Sequence, residues 1–325
     1  MPTPRNGSQR RRGTRRAPSG VLAAFLLASC AFSIDCGSRD DDAAYDREVR
    51  VLEVRIEGTP SNSALAAEVR KRLRLVRDDP ARAIGEISQK LDALNLVPLR
   101  VPGLFYRSHA WTGADLAGVQ AWLGREVVLI ETGEVGTVES NSACVSRAVV
   151  EATAAGRRAV LFSASKGGAD VQAALASDPA LAPRVAVWID LVGLLEGTPL
   201  TDPGVADAER AALGLPEATA NSISRRALAP NRALLSPRVI AVHVAGFPTA
   251  HAISPPARPG FERLRGLGPN DGFLLLDGFL RAPGRVLVLP AVDHYLKTPE
   301  LGPTVVALLS VVLDELAGQS KGALQ

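Results

Sequence analysis

From about residue 96 onward, short, mainly aliphatic runs alternate with longer stretches that repeat their apolar positions every three or four residues. The runs are Leu96–Val101, Glu126–Ile130, Ala159–Phe162, Val185–Leu191, Arg238–Ala245 and Arg285–Pro290. They are rich in β-branched and aliphatic residues with little polar alternation, which predicts strands buried on both faces of a parallel sheet. Helical spacing falls between them at Asp115–Leu123, Val138–Ala155, Gly168–Ala176 and Asp207–Leu213, and a last helix is predicted over Pro303–Leu316. The order is that of a doubly wound α/β fold, with helices flanking a mostly parallel sheet. Upstream, Ala64–Leu75 and Ala81–Leu94 show helical spacing, whereas Val49–Ile56 alternates and predicts an edge strand. No internal repeat and no linker follow residue 50, so residues 49–325 are expected to form one domain.

Composition adds little until the charges are located. The chain has 325 residues, of which 46% are hydrophobic and 22% charged, and this balance excludes a disordered chain. Its formal net charge of +3 suggests an anionic partner. However, Arg5, Arg10, Arg11, Arg12, Arg15 and Arg16 all lie in residues 1–29, which hold no Asp or Glu. The remainder carries 31 basic against 34 acidic side chains, so nothing in its charge supports a nucleic-acid partner.

The arginine-rich segment leads into the apolar run Val21–Ala28, then Ser29 and Cys30. This is the pattern of a secretory signal peptide over residues 1–29, and it is shorter than the about 20 apolar residues of a spanning helix. Leu27-Ala28-Ser29-Cys30 resembles the lipobox of bacterial lipoproteins. The resemblance implies an exported protein whose Cys30 carries a lipid and whose partner is a membrane. Residues 37–48 are polar and acidic, with Asp40, Asp41 and Asp42, and residues 30–48 read as a flexible tether. Cys36 in that tether and Cys144 in a predicted helix are not expected to pair. The cysteine spacing matches no metal site, and no cofactor is expected.

One strand end carries candidate chemistry. Ala159–Phe162 runs into Ser163-Ala164-Ser165-Lys166-Gly167-Gly168, where a helix begins. A nucleophile on a sharp strand-to-helix turn needs small residues two positions to either side, because larger ones collide there. Ser163 and Gly167 meet that need around Ser165, although the usual first residue is glycine. The following helix N-terminus supplies N–H groups and a positive dipole for a developing oxyanion. Two later loops, Gly268-Pro269-Asn270-Asp271-Gly272 and Asp293-His294-Tyr295, fall after predicted strands on the same sheet edge. Ser165, Asp271 and His294 thus stand in the chain order of nucleophile, acid and base for such a fold.

These segments resemble the α/β-hydrolase family on its bacterial lipase and esterase side. Ser163–Gly168 is similar to its G-H-S-K-G-G elbow, Asn270-Asp271-Gly272 to its acid loop, and Asp293-His294 to its histidine loop. Gly193–Leu200 resembles the G-S-P-L segment after the next strand, and Pro102-Gly103-Leu104 the turn that donates to the oxyanion. The resemblance implies a Ser165–His294–Asp271 triad, an oxyanion hole from the backbone of Lys166 and Leu104, and an acyl ester as substrate. It also implies a small helical cap or lid over residues 198–235. Polyhydroxyalkanoate depolymerase and a catalytically silent binding protein are the competing readings.

Several residues have alternatives. Asp277 is the rival acid, but Asn-Asp-Gly places a turn at Asp271. Phe105 is the rival oxyanion donor. Asp293 is too close to His294 to orient its ring, and reads as a turn residue. His243 reads as a core histidine, His251 as surface, and His109 as a candidate pocket residue. Lys166 reads as solvated or helix-packing, with an acidic substrate group as the rival partner, and Trp111, Trp122 and Trp188 as core or pocket wall.

Overall fold

The computed structural model describes residues 39–108, 116–203, 205, 213–230 and 236–322. The expected signal segment, Cys30, Cys36, His109, Trp111 and most of the helix expected at Asp207–Leu213 lie outside the described residues.

Three helices precede the sheet: α1 (Arg39–Glu57), α2 (Pro60–Asp78) and α3 (Pro80–Ala93). Pro60 and Pro80 stand at the helix starts, where a missing N–H costs nothing and the fixed φ suits the first turn. Asp79 caps α3 by accepting the Arg82 N–H at 3.0 Å.

Helix α1 corrects two expectations. Residues 39–48, read as tether, form its first half, and residues 49–56, read as an edge strand, form its second. The apolar positions of Val-Arg-Val-Leu-Glu-Val-Arg-Ile alternate except for a change of phase at Val51-Leu52, and positions 49, 52 and 56 also fit a helical period. Burial separates the two patterns. Tyr45, Val49, Leu52 and Ile56 are buried, whereas Val51 and Val54 are 61% and 55% exposed. That spacing of four, three and four residues is one helical face.

The remaining elements follow in the order β1 (Leu96–Val101), α4 (Leu116–Leu123), β2 (Val128–Leu129), α5 (Val138–Ala152), β3 (Arg158–Ala164), α6 (Lys166–Ser177) and β4 (Val185–Leu191). Then come α7 (Glu217–Ser222), α8 (Arg225–Leu228), β5 (Ile240–Phe247), α9 (Arg258–Leu264), β6 (Arg285–Pro290) and α10 (Leu301–Gly322). The structure reproduces the six apolar runs as strands, with β2 shortened to two residues.

Among the described residues the strands form one six-stranded sheet in the order β2-β1-β3-β4-β5-β6, with every pairing parallel. The chain starts at β1, steps to the edge at β2, returns past β1 to β3, and then advances to β6. The reversal lies between β1 and β3. Crevices at the carboxyl ends of strands beside such a reversal are where open α/β sheets bind ligands.

Alternation along each strand separates two cores. In β3, Ala159 and Leu161 join the core built with α1, α5 and α6. Val160, Phe162 and Ala164 join the opposite core, built with α2, α3, α4 and α10. Helix α10 contains a stretch, Leu301–Gln319, long and apolar enough to cross a membrane by length and composition. Here it is a core helix: Val305, Leu308, Leu309, Val312 and Leu313 are buried, and Asp314 pairs with Arg72 of α2 and Lys90 of α3.

Candidate active site

β3 ends in a sharp turn at Ser165, whose φ of 52° and ψ of −126° precede the first residue of α6. Left-handed backbone at a non-glycine residue costs about 1–3 kcal/mol, so the surroundings must impose it. Ser165 N–H donates to Leu191 O at 3.0 Å. Its carbonyl accepts from Gly168 N–H at 2.9 Å and Leu194 N–H at 3.0 Å. A Cβ on Gly167 would lie 2.6 Å from Val101 O and 2.7 Å from Pro102 O, and one on Gly168 2.5 Å from Asp190 Oδ1. The turn therefore fits only between glycines on its helical side.

On its strand side the small residue is Ser163, and its hydroxyl has specific partners. It donates to Asp190 Oδ1 at 2.6 Å and accepts from Trp188 Nε1 at 2.8 Å. Asp190 Oδ2 meets His243 Nδ1 at 3.1 Å, and His243 Nε2 meets Pro283 O at 2.6 Å. Sheet register causes this: Ser163 pairs with Asp190, and Asp190 with His243, across three adjacent strands. The buried row ties β3, β4 and β5 together beneath the turn.

Above the turn, Ser165 Oγ lies 2.8 Å from His294 Nε2, and His294 Nδ1 lies 2.8 Å from Asp271 Oδ2. The other carboxylate oxygen of Asp271 accepts the N–H groups of Phe273 and Leu274, each at 2.9 Å. His294 N–H donates to Asp271 O at 3.0 Å, which joins the two loops through backbone as well. Asp271 is fully buried and His294 nearly so. With a carboxylate at Nδ1, that nitrogen carries the proton and Nε2 is left to accept from the serine hydroxyl. The Phe273 ring stacks on the imidazole, with centroids 4.9 Å apart and planes 25° apart. Burial, with help from Asp293 and Asp271, raises the Tyr295 phenol to about 12, and this neutral ring lies perpendicular to the imidazole with centroids 6.4 Å apart.

The turn after β1 packs directly on this group. A Cβ on Gly103 would lie 3.0 Å from Ser165 Cβ and 3.6 Å from its Oγ. Phe105 N–H is already engaged with Glu134 O at 3.3 Å. The alternative donor on this turn thus has its N–H directed at a backbone carbonyl.

Lys166 follows Ser165, and its side chain is buried. Its ammonium donates to Asp170 Oδ1 at 2.6 Å and Oδ2 at 2.9 Å. Asn141 Nδ2 donates to Asp170 Oδ2 at 3.1 Å and to Gly133 O at 3.1 Å, and Asn141 Oδ1 accepts from Gly133 N–H at 3.0 Å. Burial pushes the Asp170 carboxyl up to about 6, against the pull of Lys166 and Asn141. Burial likewise pushes the Lys166 ammonium down. The solvated alternative for Lys166 is thereby excluded, and the helix-packing one holds.

The other candidates fall away from the centre. Asp277 is half-exposed and pairs with Arg281 at 3.3 Å. Asp293 is a turn residue: Oδ2 accepts from Ser254 N–H at 2.7 Å and Oδ1 from Tyr295 N–H at 3.0 Å. His243 is a buried core histidine, and His251 is exposed. Trp188 belongs to the core on the α6 side of the sheet, and partly buried Trp122 packs against the core on the α10 side. In the expected cap region, α7 and α8 are described. Thr198 links this region to the acid loop by donating its hydroxyl to Phe273 O. Sequence reasoning missed Tyr45, Asp170, Asp190 and Phe273. Only Asp170 carried a readable sign, its four-residue helical spacing from Lys166.

No protein-family model matches the chain, and no curated protein does. Among solved structures, the chain is similar to a metagenomic carboxyl esterase, MGS0156, at 23% identity and a TM-score of 0.56, over 70% of this chain and 76% of that one. It is also similar to the mature form of Bacillus licheniformis lipase BlEst2, at 22% identity and a TM-score of 0.55, over 66% of this chain and 92% of that one. The parallel sheet, its flanking helices and these likenesses define the α/β-hydrolase fold.

Proposed function

We propose that the protein is a serine hydrolase of carboxylic esters. The observation that carries this reading is the chain of two 2.8 Å contacts from Ser165 Oγ through His294 to Asp271, mounted on a strained strand-to-helix turn. In this reading His294 Nε2 takes the hydroxyl proton as Ser165 Oγ attacks the acyl carbon. Asp271 holds the ring and stabilises the imidazolium, and Phe273 lies against its face. The N–H groups of Lys166 and Leu104 receive the oxyanion, and each such donor is typically worth about 10²–10³-fold in rate. His294 then returns the proton to the leaving alcohol. Water, activated by the same imidazole, releases the acyl group from Ser165. Two solved structures that share the fold are an esterase and a lipase, which supports an ester as substrate. The arginine-rich segment and Cys30 support an exported, lipid-anchored form of this enzyme.

A panel of p-nitrophenyl esters from two to sixteen acyl carbons tests the reading. Hydrolysis by the wild-type chain that vanishes in Ser165→Ala is the expected result, and the acyl length of maximal kcat/KM separates esterase from lipase. A chain that hydrolyses no member of the panel contradicts the proposal.

A further inference from the structure

Helix α1 lies outside the sheet, yet it reaches the loop that carries Asp271. The Tyr45 hydroxyl donates to Asn270 O at 2.8 Å and accepts from Asn270 N–H at 3.0 Å. One hydroxyl thereby holds both backbone polar groups of the residue before Asp271. Asn270 and Asp271 are fully buried, and Tyr45 is nearly so. We propose that Tyr45 is a positioning residue, which fixes the Asn270 backbone and through it the Asp271 carboxylate against His294.

The helix is well placed to exert this hold. Asp42 pairs with Arg265 at 2.6 Å, and Asp46 Oδ1 accepts Ala250 N–H at 2.8 Å. The Tyr45 ring meets Phe261 edge-on at 5.0 Å, and the Arg265 guanidinium lies over both rings. Val49, Leu52 and Ile56 anchor the rest of the helix in the core. The acid loop is tight on its own account. Asn270 Oδ1 accepts from Gly272 N–H at 3.0 Å, and Asn270 Nδ2 donates to Gly268 O at 3.2 Å. These contacts shape the turn, whereas Tyr45 ties the turn to a separate element. Burial raises the Tyr45 phenol above its ordinary value, so the group stays a neutral hydroxyl able to donate and accept at once. Without it, a buried N–H and a buried C=O lose their partners, and the loop shifts or admits water.

The effect on rate rests on the serine-hydrolase reading, whereas the effect on the Asp271–His294 hydrogen bond does not. Tyr45→Phe keeps the ring contacts and removes only the hydroxyl. Proton NMR on the full chain reads the His294 Nδ1 proton as the downfield resonance that is absent from Asp271→Asn. In Tyr45→Phe this resonance is expected to broaden or disappear. If the esters are hydrolysed, kcat falls about 10-fold with KM little changed, a fraction of the about 10²-fold that a misplacement of 1 Å costs. Phe261→Leu serves as the comparison, because it loosens the same packing and keeps the hydroxyl. It is expected to lower Tm with the resonance and kcat retained. A Tyr45→Phe protein that keeps the resonance, or that behaves like Phe261→Leu, overturns the proposal. A wild type that shows the resonance but cleaves no ester counts against the hydrolase reading alone, and the NMR comparison still decides the role of Tyr45.

Discussion

Ser165→Ala is expected to lower kcat for ester hydrolysis by about 10⁴–10⁶-fold, the range seen when a triad nucleophile is removed. His294→Ala should cost about as much, because the hydroxyl at 2.8 Å from its Nε2 then has no base. The double variant should be no worse than either single one, since residues that act as a unit are not additive. Asp271→Asn keeps the shape of the acid loop but offers an amide to Nδ1. That favours the wrong tautomer, and a loss of about 10⁴-fold is expected. Asp277→Asn, which disturbs only a surface pair with Arg281, should leave kcat within about twofold of wild type. Steady-state kinetics on one good ester checks all of these. The reverse order, with Asp277→Asn impaired and Asp271→Asn active, would show that the acid has been misassigned.

Asp170→Ala is expected to destabilise the fold by about 3–5 kcal/mol, because it leaves the buried Lys166 ammonium without its carboxylate. Lys166 is among the largest fully buried side chains of the described residues, and it opens the helix that follows Ser165. The loss should extend beyond the pair. Asn141 bridges Asp170 to the Gly133 loop, and that loop accepts Phe105 N–H from the turn after β1. Replacing both partners, as Lys166→Met with Asp170→Leu, removes two buried charges together. Much of the stability is then expected to return, since well-packed apolar replacements of buried ion pairs are often neutral or better. Urea unfolding of the single and double variants tests this. Single variants within about 0.5 kcal/mol of wild type would show that the pair carries no such stability.

The sheet was readable from sequence because its central strands, β1 and β3 to β5, are buried on both faces. A mostly apolar run as short as Val185–Leu191, interrupted only by Asp190, suits a doubly covered strand far better than a helix, and three of the six strands match their expected bounds. The meeting of Ser165, His294 and Asp271 was readable because turn chemistry constrains sequence: a strained elbow needs Gly167, and Asn270-Asp271-Gly272 marks a loop. Helix α1 was misread because alternation on either side of Val51-Leu52 masks a helical face, which the distant partners of Tyr45, Val49, Leu52 and Ile56 select. The row Ser163–Asp190–His243 was hidden for a different reason. Its members are 27 and 53 residues apart, and they meet only through the register of three strands. Tyr45 and Asn270 are 225 residues apart, and no local pattern reports a contact of that kind.

Whether Ser165 is the nucleophile of an acyl hydrolase is tested most directly by treating the wild-type chain with a fluorophosphonate and locating the label by peptide mass spectrometry. One equivalent of label is expected, carried on Ser165 and absent from both Ser165→Ala and His294→Ala. An unlabelled wild type, or a label on any other serine, would contradict that role.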